Sequence, residues 1–365
     1  MDGPLPLATT PTPDWTMLPP ELLQTIATKL PDISDFVKFR AVCTTWRSSA
    51  RVSHPPPQLP WFLEEPDYLP YFKSNLRFYS LFSGKIHTIH SPNSSGDWLW
   101  GPAHDYIVMF NVAAPSSQFS LLNPLTGRKV LLPFLDITRL LPIWVGPDPI
   151  ESREPVVFAS LLADSRTRIL ALYQPVAREW VVIEEPCSYP VRCHYFNGMF
   201  YVDGEGNGDT KVINTVTRKV VHVVPPPPED DYECNAIMGM TYLVQSGSDI
   251  LRVVLHYNGR LEVPDYHFHI HRLDLQSGNG EEPRWVKISS IGDQILFLDE
   301  HNGFSLSCRD YSGLRRNSIY VIKSYQAMHD PSLSSLCRYD IEEARSEPLN
   351  CPFVKGGIWI VPSLR

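Results

Sequence analysis

Three histidines alternate along one β-rich stretch of the chain. His267, His269 and His271 would project from the same face of a strand, because successive strand residues point to opposite faces. Imidazoles are good zinc ligands. Same-face neighbours on one straight strand nevertheless lie about 6.5–7 Å apart, which is too far to share a tetrahedral ion. We therefore expect solvent-facing or channel-lining histidines, with zinc binding as the alternative.

A second candidate is the glycine-rich run from Asp203 to Gly208. Asp203, Glu205 and Asn207 are each followed by glycine, as in the first half of a calcium-binding loop. A complete EF-hand loop also requires Glu at its twelfth position, and this chain has Asn214 there. β-rich runs rather than helices flank the segment. The sequence favours the tip of a β-hairpin, with a calcium site as the alternative.

Other motifs of known catalytic or cofactor chemistry are absent from the sequence. It contains no G-x-S-x-G elbow, no P-loop, and no G-x-G-x-x-G after a predicted strand. Cys187 and the Cys193-His194 pair lack the partners that a zinc ribbon requires. We therefore predict a chain with no catalytic residue, no metal and no cofactor.

Composition restricts the classes of partner. The 365 residues carry a formal net charge of −8, so nothing in the bulk charge attracts nucleic acid or anionic membranes. No apolar run approaches the length of a membrane helix, and the first 15 residues lack the features of a signal peptide. Seven scattered cysteines suit a reducing compartment. We expect no nucleic acid partner, no membrane contact, and a cytoplasmic and/or nuclear location.

The elements that would hold a binding surface begin with residues 18–47, which show three short apolar patterns at helical spacing. Pro19-Pro20 starts the first helix and Pro31 ends it, while Ser34 is the predicted cap of the next. About 40 residues rarely bury enough surface to be stable alone. The apolar residues that remain exposed therefore need a partner, either elsewhere in this chain or on another protein.

This stretch resembles the F-box. The Leu18-Pro19 opening, the Glu21-Leu22-Leu23 core, the Leu30-Pro31 stop and the run 40–47 stand where that family has them, and Phe36 replaces a common Leu. The resemblance implies docking on the adaptor subunit of an SCF-type, cullin-based ubiquitin ligase. The predicted adaptor-contact residues are Leu18, Pro19, Leu22, Leu23, Ile26, Leu30, Val42 and Trp46. Some of them must also form the domain's own core, and the alternative is a helical hairpin packed on its own chain.

From about residue 75, a unit of strand, polar turn and strand recurs six times. Its central turn residues are Ser83, Asn123, Gln174, Asn214, Asp274 and Asp340. Their spacing of 40 to 66 residues suits propeller blades with loop insertions. We predict a mainly β protein, with a small N-terminal α domain and a propeller of about six blades. The alternatives are a large β-sandwich or two smaller β domains.

Local chemistry explains these turns without any catalytic role. Pro124 fixes φ at the first corner of the turn after Asn123, and Thr126 and Gly127 supply a hydroxyl and a positive-φ position. Trp180 and Trp285 each open the strand after such a turn. We expect both indoles to fill the wedge between blades as core.

The same region carries a second resemblance. The segments 121–127, 242–246, 268–274, 291–298 and 317–320 resemble the plant F-box family that has a C-terminal KIB-type β-propeller domain. The predicted organisation is a disordered N-terminus over 1–14, an F-box over 15–53, a Pro-rich linker over 54–74 and the propeller over 75–365.

These resemblances imply a non-catalytic substrate receptor, which binds the adaptor, and the cullin through it, and recruits an unknown target protein for ubiquitination. One alternative binds and blocks a target without ubiquitin transfer. The other is a propeller enzyme, which would need ionisable residues converging at the central channel.

Overall fold

The computed structural model divides the chain into two compact units, residues 1–59 with 362–365, and residues 60–361. The residues that the structure describes are 14–30, 32–52, 55–56, 58–64, 75–81, 83–90, 97–103, 106–111, 118–134, 140–145, 156–162, 168–174, 177–187, 190–204, 208–228, 238–257, 266–275, 282–299, 303–311, 314–322, 336–352 and 357–364. The N-terminal segment predicted to be disordered lies outside them, except for Asp14. No helix in this described part is long and apolar enough to cross a bilayer.

The first unit is helical. A 3₁₀ turn at Trp15–Met17 leads into α1 (Pro20–Ala27), α2 (Ile33–Ala41) and α3 (Thr44–Ser49). Pro20 opens α1, where a missing N–H costs nothing because that group has no partner within the helix.

The cap of α2 corrects one sequence prediction. The carboxylate of Asp32 accepts a hydrogen bond from the Ser34 N–H at 2.8 Å, so Asp32 caps the helix and Ser34 lies inside it. Both residues are good caps, and the choice depends on where the helical dihedrals begin. The first helix also ends at Ala27, before the predicted stop at Pro31, which lies outside the described residues.

Six β-sheets form the blades of a propeller in the second unit, so the sandwich and two-domain alternatives are wrong. Blade 1 contains β25 (Gly357–Ile360), β1 (Trp61–Glu64), β2 (Asn75–Ser80) and β3 (Lys85–His90). Blade 2 contains β4 (Asp97–Ala103), β5 (Tyr106–Asn111), β6 (Gln118–Leu122) and β7 (Lys129–Leu131). Blade 3 contains β8 (Leu140–Val145), β9 (Val157–Leu162), β10 (Arg168–Gln174) and β11 (Glu179–Cys187).

The remaining blades follow the same plan with one variation. Blade 4 contains β12 (Pro190–Phe196), β13 (Met199–Gly204), β14 (Thr210–Asn214) and β15 (Val220–Val224). Blade 5 contains β16 (Met238–Ser246), β17 (Asp249–Tyr257), β18 (Tyr266–Asp274) and β19 (Arg284–Ile288). Blade 6 contains, in sheet order, β21 (Gly303–Ser307), β20 (Gln294–Leu298), β22 (Ser318–Ile322), β23 (Leu336–Asp340) and β24 (Arg345–Pro348). There β20 and β22 pair in parallel, which leaves β21 on the inner side.

The ring is closed by the last strand of the chain. β25 pairs antiparallel with β1, with Trp61 opposite Ile360 and Glu64 opposite Gly357. β1 lies inside residues 54–74, so the linker prediction fails for that strand. Its four residues are too short to carry a periodic signal, and their partner strand is almost 300 residues away in sequence.

Contacts between sheets identify the inner strands. β25 contacts β4, β8 contacts β12, β12 contacts β16, and β16 contacts β21. Each of these strands lies at one edge of its sheet. That edge faces the ring axis, and the opposite edge faces outwards.

Apolar seams hold neighbouring blades together. The Trp180 indole packs on the cluster between blades 2 and 3 and donates to the Pro133 carbonyl at 3.1 Å. Trp285 is buried between blades 4 and 5 among Tyr201, Val212 and other apolar residues. Both tryptophans therefore act as wedge-filling core, as predicted.

All six predicted turn residues fall at the connection between the two outermost strands of a blade. At the second turn, Asn123 Oδ1 accepts from the Leu125 and Thr126 N–H groups at 3.0 Å. The Asn123 carbonyl accepts from the N–H of Gly127, which has φ +70°. The hairpin prediction is confirmed in its details.

Candidate functional site

The helical unit separates its apolar residues into a core and an exposed set. On α1, Leu23 and Ala27 are buried, four residues apart on one face. Leu22 and Ile26 have the same spacing on the adjacent face and are 51% and 41% exposed. The buried face supports the helix, and the exposed face is free to meet another protein.

The core itself is small. Its buried apolar side chains, besides the two on α1, are Ile33, Phe36, Phe39 and Ala50. Arg40 lies over the Phe36 ring, with its guanidinium carbon 5.9 Å from the centroid. The Arg40 Nη1 donates to the carbonyls of Arg47 and Ala50, and thereby satisfies acceptors that the end of α3 leaves open.

Trp46 fixes the segment that precedes α1. Its ring lies 4.4 Å from that of Phe39, centroid to centroid, and its Nε1 donates to the Trp15 carbonyl at 3.2 Å. The indole therefore ties the 3₁₀ turn to α3. This contact holds the start of the Leu18-Pro19 motif against the third helix.

The predicted adaptor-contact residues divide into three groups. The exposed ones are Pro19, Leu22, Ile26 and Val42. The partly exposed ones are Leu18, Leu30 and Trp46. Leu23 is fully buried and belongs to the domain's own core, a division that the sequence could not make.

Sequence reasoning missed three exposed apolar side chains. Trp15 and Met17, in the 3₁₀ turn, are 62% and 78% exposed, and Val37 lies exposed on α2. The available signal was the position of Trp15 and Met17 directly ahead of the Leu18-Pro19 motif. Val37 lies among polar neighbours, so its pattern gave no signal.

The histidines of β18 correct another prediction. His271 is buried and His267 and His269 are partly buried. β18 is the third strand of its blade, and the three rings face the seam with blade 4 rather than solvent or the channel. In the described part of the chain, no three His, Cys, Asp or Glu side chains are arranged to hold a metal.

Asp203, the first residue of the calcium-like run, is engaged within the protein. Its carboxylate lies 3.2 Å from the Arg252 Nε and accepts a hydrogen bond from the Thr210 hydroxyl at 2.7 Å. β13 and β14 flank the run, as the hairpin prediction requires, while Glu205 and Asn207 lie outside the described residues.

Comparison with known proteins agrees with this architecture. The family described as KIB1-4 beta-propeller matches residues 78–342, which is most of the chain. The chain belongs to this family. The F-box domain family matches residues 15–55, the segment that contains α1, α2 and α3.

Curated relatives of this KIB1-4 beta-propeller protein come from Arabidopsis thaliana. The F-box/kelch-repeat protein At1g57790 is 27% identical and covers 84% of this chain and 82% of its own length. The F-box protein SKIP23 is 24% identical and covers 81% of each chain. The similarity therefore extends across both units.

Proposed function

We propose that the protein is the substrate receptor of an SCF-type ubiquitin ligase, with its helical unit bound to the adaptor subunit. The observation that carries the proposal is the exposure of Leu22, Ile26 and Val42 in a domain that matches the F-box. An aliphatic side chain contributes about 1.5–3 kcal/mol when it passes from full exposure to full burial. Even partial coverage of these three would supply several kcal/mol to docking.

The fold supports a receptor role for the propeller. Six blades held by apolar seams form a rigid scaffold, and the loops between strands can vary without disturbing it. The receptor would then act by position alone. It would raise the local concentration of the recruited protein near a ubiquitin-charged enzyme.

The test is co-purification of the adaptor subunit with the full-length chain. We expect Leu22→Ala with Ile26→Ala, and separately Leu18→Ala with Pro19→Ala, to remove the adaptor because each pair deletes exposed apolar contacts. Gln24→Ala, at an exposed polar position of α1, is the matched control and should retain it. Retention of the adaptor by both double variants, with their circular dichroism unchanged, would overturn the assignment.

A second measurement separates ubiquitin transfer from simple blocking. Proteins captured by the wild-type chain but released from turnover by a proteasome inhibitor are targets of transfer. Captured proteins whose abundance does not respond to the inhibitor, or to the adaptor-deficient variants, would indicate binding without transfer.

A further inference from the structure

The two faces of blade 5 are built from different kinds of side chain. Leu251, Val253 and Leu255 of β17 point towards blade 6 and join its apolar cluster. The alternate residues of β17 face blade 4, and they include Arg252 and His256. Polar groups buried between sheets cost free energy, so a seam that keeps them is a candidate functional site.

Positive and titratable groups predominate in this seam. The strand pairings place nine such side chains on it: Arg192, His194, His222, Arg252, His256, His267, His269, His271 and Lys287. On the strand positions that face the seam in the described chain, Asp203 is the only carboxylate. Three permanent cations therefore oppose one acid, in a protein whose net charge is −8.

The ion pair at the bottom of the seam does not use all of its donors. Arg252 and Asp203 are separated by 3.2 Å, with their side chains only 9% and 3% exposed. Within the described residues, the buried Nη1 of Arg252 has no hydrogen-bond partner. Burial raises the pKa of Asp203, although Arg252 opposes the rise, so the acid is a weak counter-charge. A buried guanidinium with an idle donor favours an added anion.

The imidazoles above this pair respond to the same positive field. Burial lowers the pKa of His269 to about 4, and the neighbouring His256 and Lys287 lower it further. Burial and His267 also lower the pKa of His256. Their rings are partly exposed and Lys287 is exposed, so solvent reaches this part of the seam. These histidines are neutral at pH 7, and an anion beside them would raise their affinity for protons.

We propose that the polar half of the seam between blades 4 and 5 binds a phosphorylated side chain of the protein that the propeller recruits. The proposal rests on the receptor function for the identity of its partner. Facing sheets pack about 10 Å apart, which leaves room for one inserted side chain rather than a run of acids. A phosphate carries a charge of about −1.5 to −2 and three acceptor oxygens on a single group, which matches the excess of cations.

The first test measures retention of a degenerate phosphoserine peptide pool on the full-length chain. Matched arms use the same pool after phosphatase treatment and a pool with Asp in place of phosphoserine. We expect the phosphorylated pool to be retained at least tenfold more than either. Equal retention of the three pools would overturn the proposal, and preference for the Asp pool would assign the seam to acidic segments instead.

Variants connect the retention to this seam. Lys287→Gln removes an exposed cation and should weaken retention about threefold to tenfold, because a charge-assisted contact is lost. Lys85→Gln, also exposed on the outer strand of a blade, is the control and should change nothing. Arg252→Gln should abolish retention, with circular dichroism showing whether the fold survives. If Lys287→Gln and Lys85→Gln behave alike, the site is not this seam.

A second test uses proton linkage, which a purely structural seam would not show. Calorimetric titration with O-phosphoserine at pH 7, in two buffers of different ionisation enthalpy, should reveal net proton uptake, reduced in His269→Gln. Binding of inorganic phosphate without any preference for the phosphorylated pool would show a small-anion site and overturn the role in recruitment. The adaptor is absent from these experiments, so their failure would leave the proposed function intact, and loss of adaptor binding would leave their results intact.

Discussion

Leu22 and Leu23 are chemically identical neighbours with opposite surroundings. Leu23 lies in the core of the helical unit, while Leu22 faces outwards. Helical spacing from the sequence identified both as apolar positions of α1, but the pattern alone did not tell which face would be covered. That depends on α2 and α3, whose packing is a property of the folded unit. The same reason explains why Leu23 entered the predicted contact set.

This contrast gives a matched pair of variants. Leu23→Ala should reduce the free energy of local opening of the helical unit by about 2–5 kcal/mol, because it leaves a cavity in a small core. Leu22→Ala should change it by no more than about 0.5 kcal/mol, since that side chain is largely exposed. Hydrogen exchange of the amides in α1, α2 and α3 measures both. Equal effects from the two substitutions would show that Leu22 has a structural role.

His269 predicts how stability depends on pH. Its pKa is lowered to about 4 in the folded protein from 6.5, so the unfolded chain binds more protons between these values. The contribution of His269 is therefore complete above about pH 6.5 and is lost as the pH falls towards 4. We expect His269→Gln to lose less stability than wild type between pH 7 and pH 5, measured by urea midpoints. His90→Gln, at an exposed histidine of blade 1, should follow wild type, and a His269→Gln profile parallel to wild type would refute the assignment.

At the scale of elements, the outer hairpins share one turn design. Asn123, Asn214 and Asp340 each accept two backbone N–H groups through a side-chain oxygen. A positive-φ residue follows four positions later: Gly127, Arg218 and Ala344. This chemistry is local in sequence, which is why the turns and the number of blades could be predicted. Closure by β25 and the parallel pairing in blade 6 depend on distant segments and could not.

The shared design makes opposite predictions at equivalent positions. Gly127→Ala should destabilise the propeller by about 1 kcal/mol, because φ +70° strains a residue with a Cβ while the space around it is open. Ala344, at φ +48°, already bears that strain. Ala344→Gly should therefore be stabilising, by up to about 1 kcal/mol after the entropy cost of glycine. Urea unfolding of both variants decides the matter, and destabilisation by Ala344→Gly would contradict this view of the turn.

At the scale of the whole molecule, the ring depends on a single pairing between its two ends. β25 adds the innermost strand to the blade that begins with β1, so the first and last segments of the propeller stabilise each other. The Trp359 indole donates to the Leu298 carbonyl and its ring packs near Phe297, which joins this strand to blade 6. Loss of β25 would open one blade and uncover its neighbour.

Gly357 is the position at which this closure can be tested with one methyl group. A Cβ there would lie 2.4 Å from the Leu63 carbonyl oxygen and 2.6 Å from a carbon of the Phe62 ring. The carbonyl belongs to the paired strand β1 and cannot move away without disturbing the pairing. Gly357→Ala should therefore destabilise the propeller by about 1–3 kcal/mol.

The loss should also be local before it is global. We expect faster hydrogen exchange in β25 and β1 than in wild type, with β16 and β17 of blade 5 unchanged under native conditions, because the strands that lose their pairing open first. Thr88→Val, on the exposed outer strand of blade 1, is the control and should leave exchange in β25 unaltered. Uniform acceleration across all blades of Gly357→Ala would mean that closure is inseparable from global folding. Unchanged exchange in β25 would mean that this pairing does not close the ring.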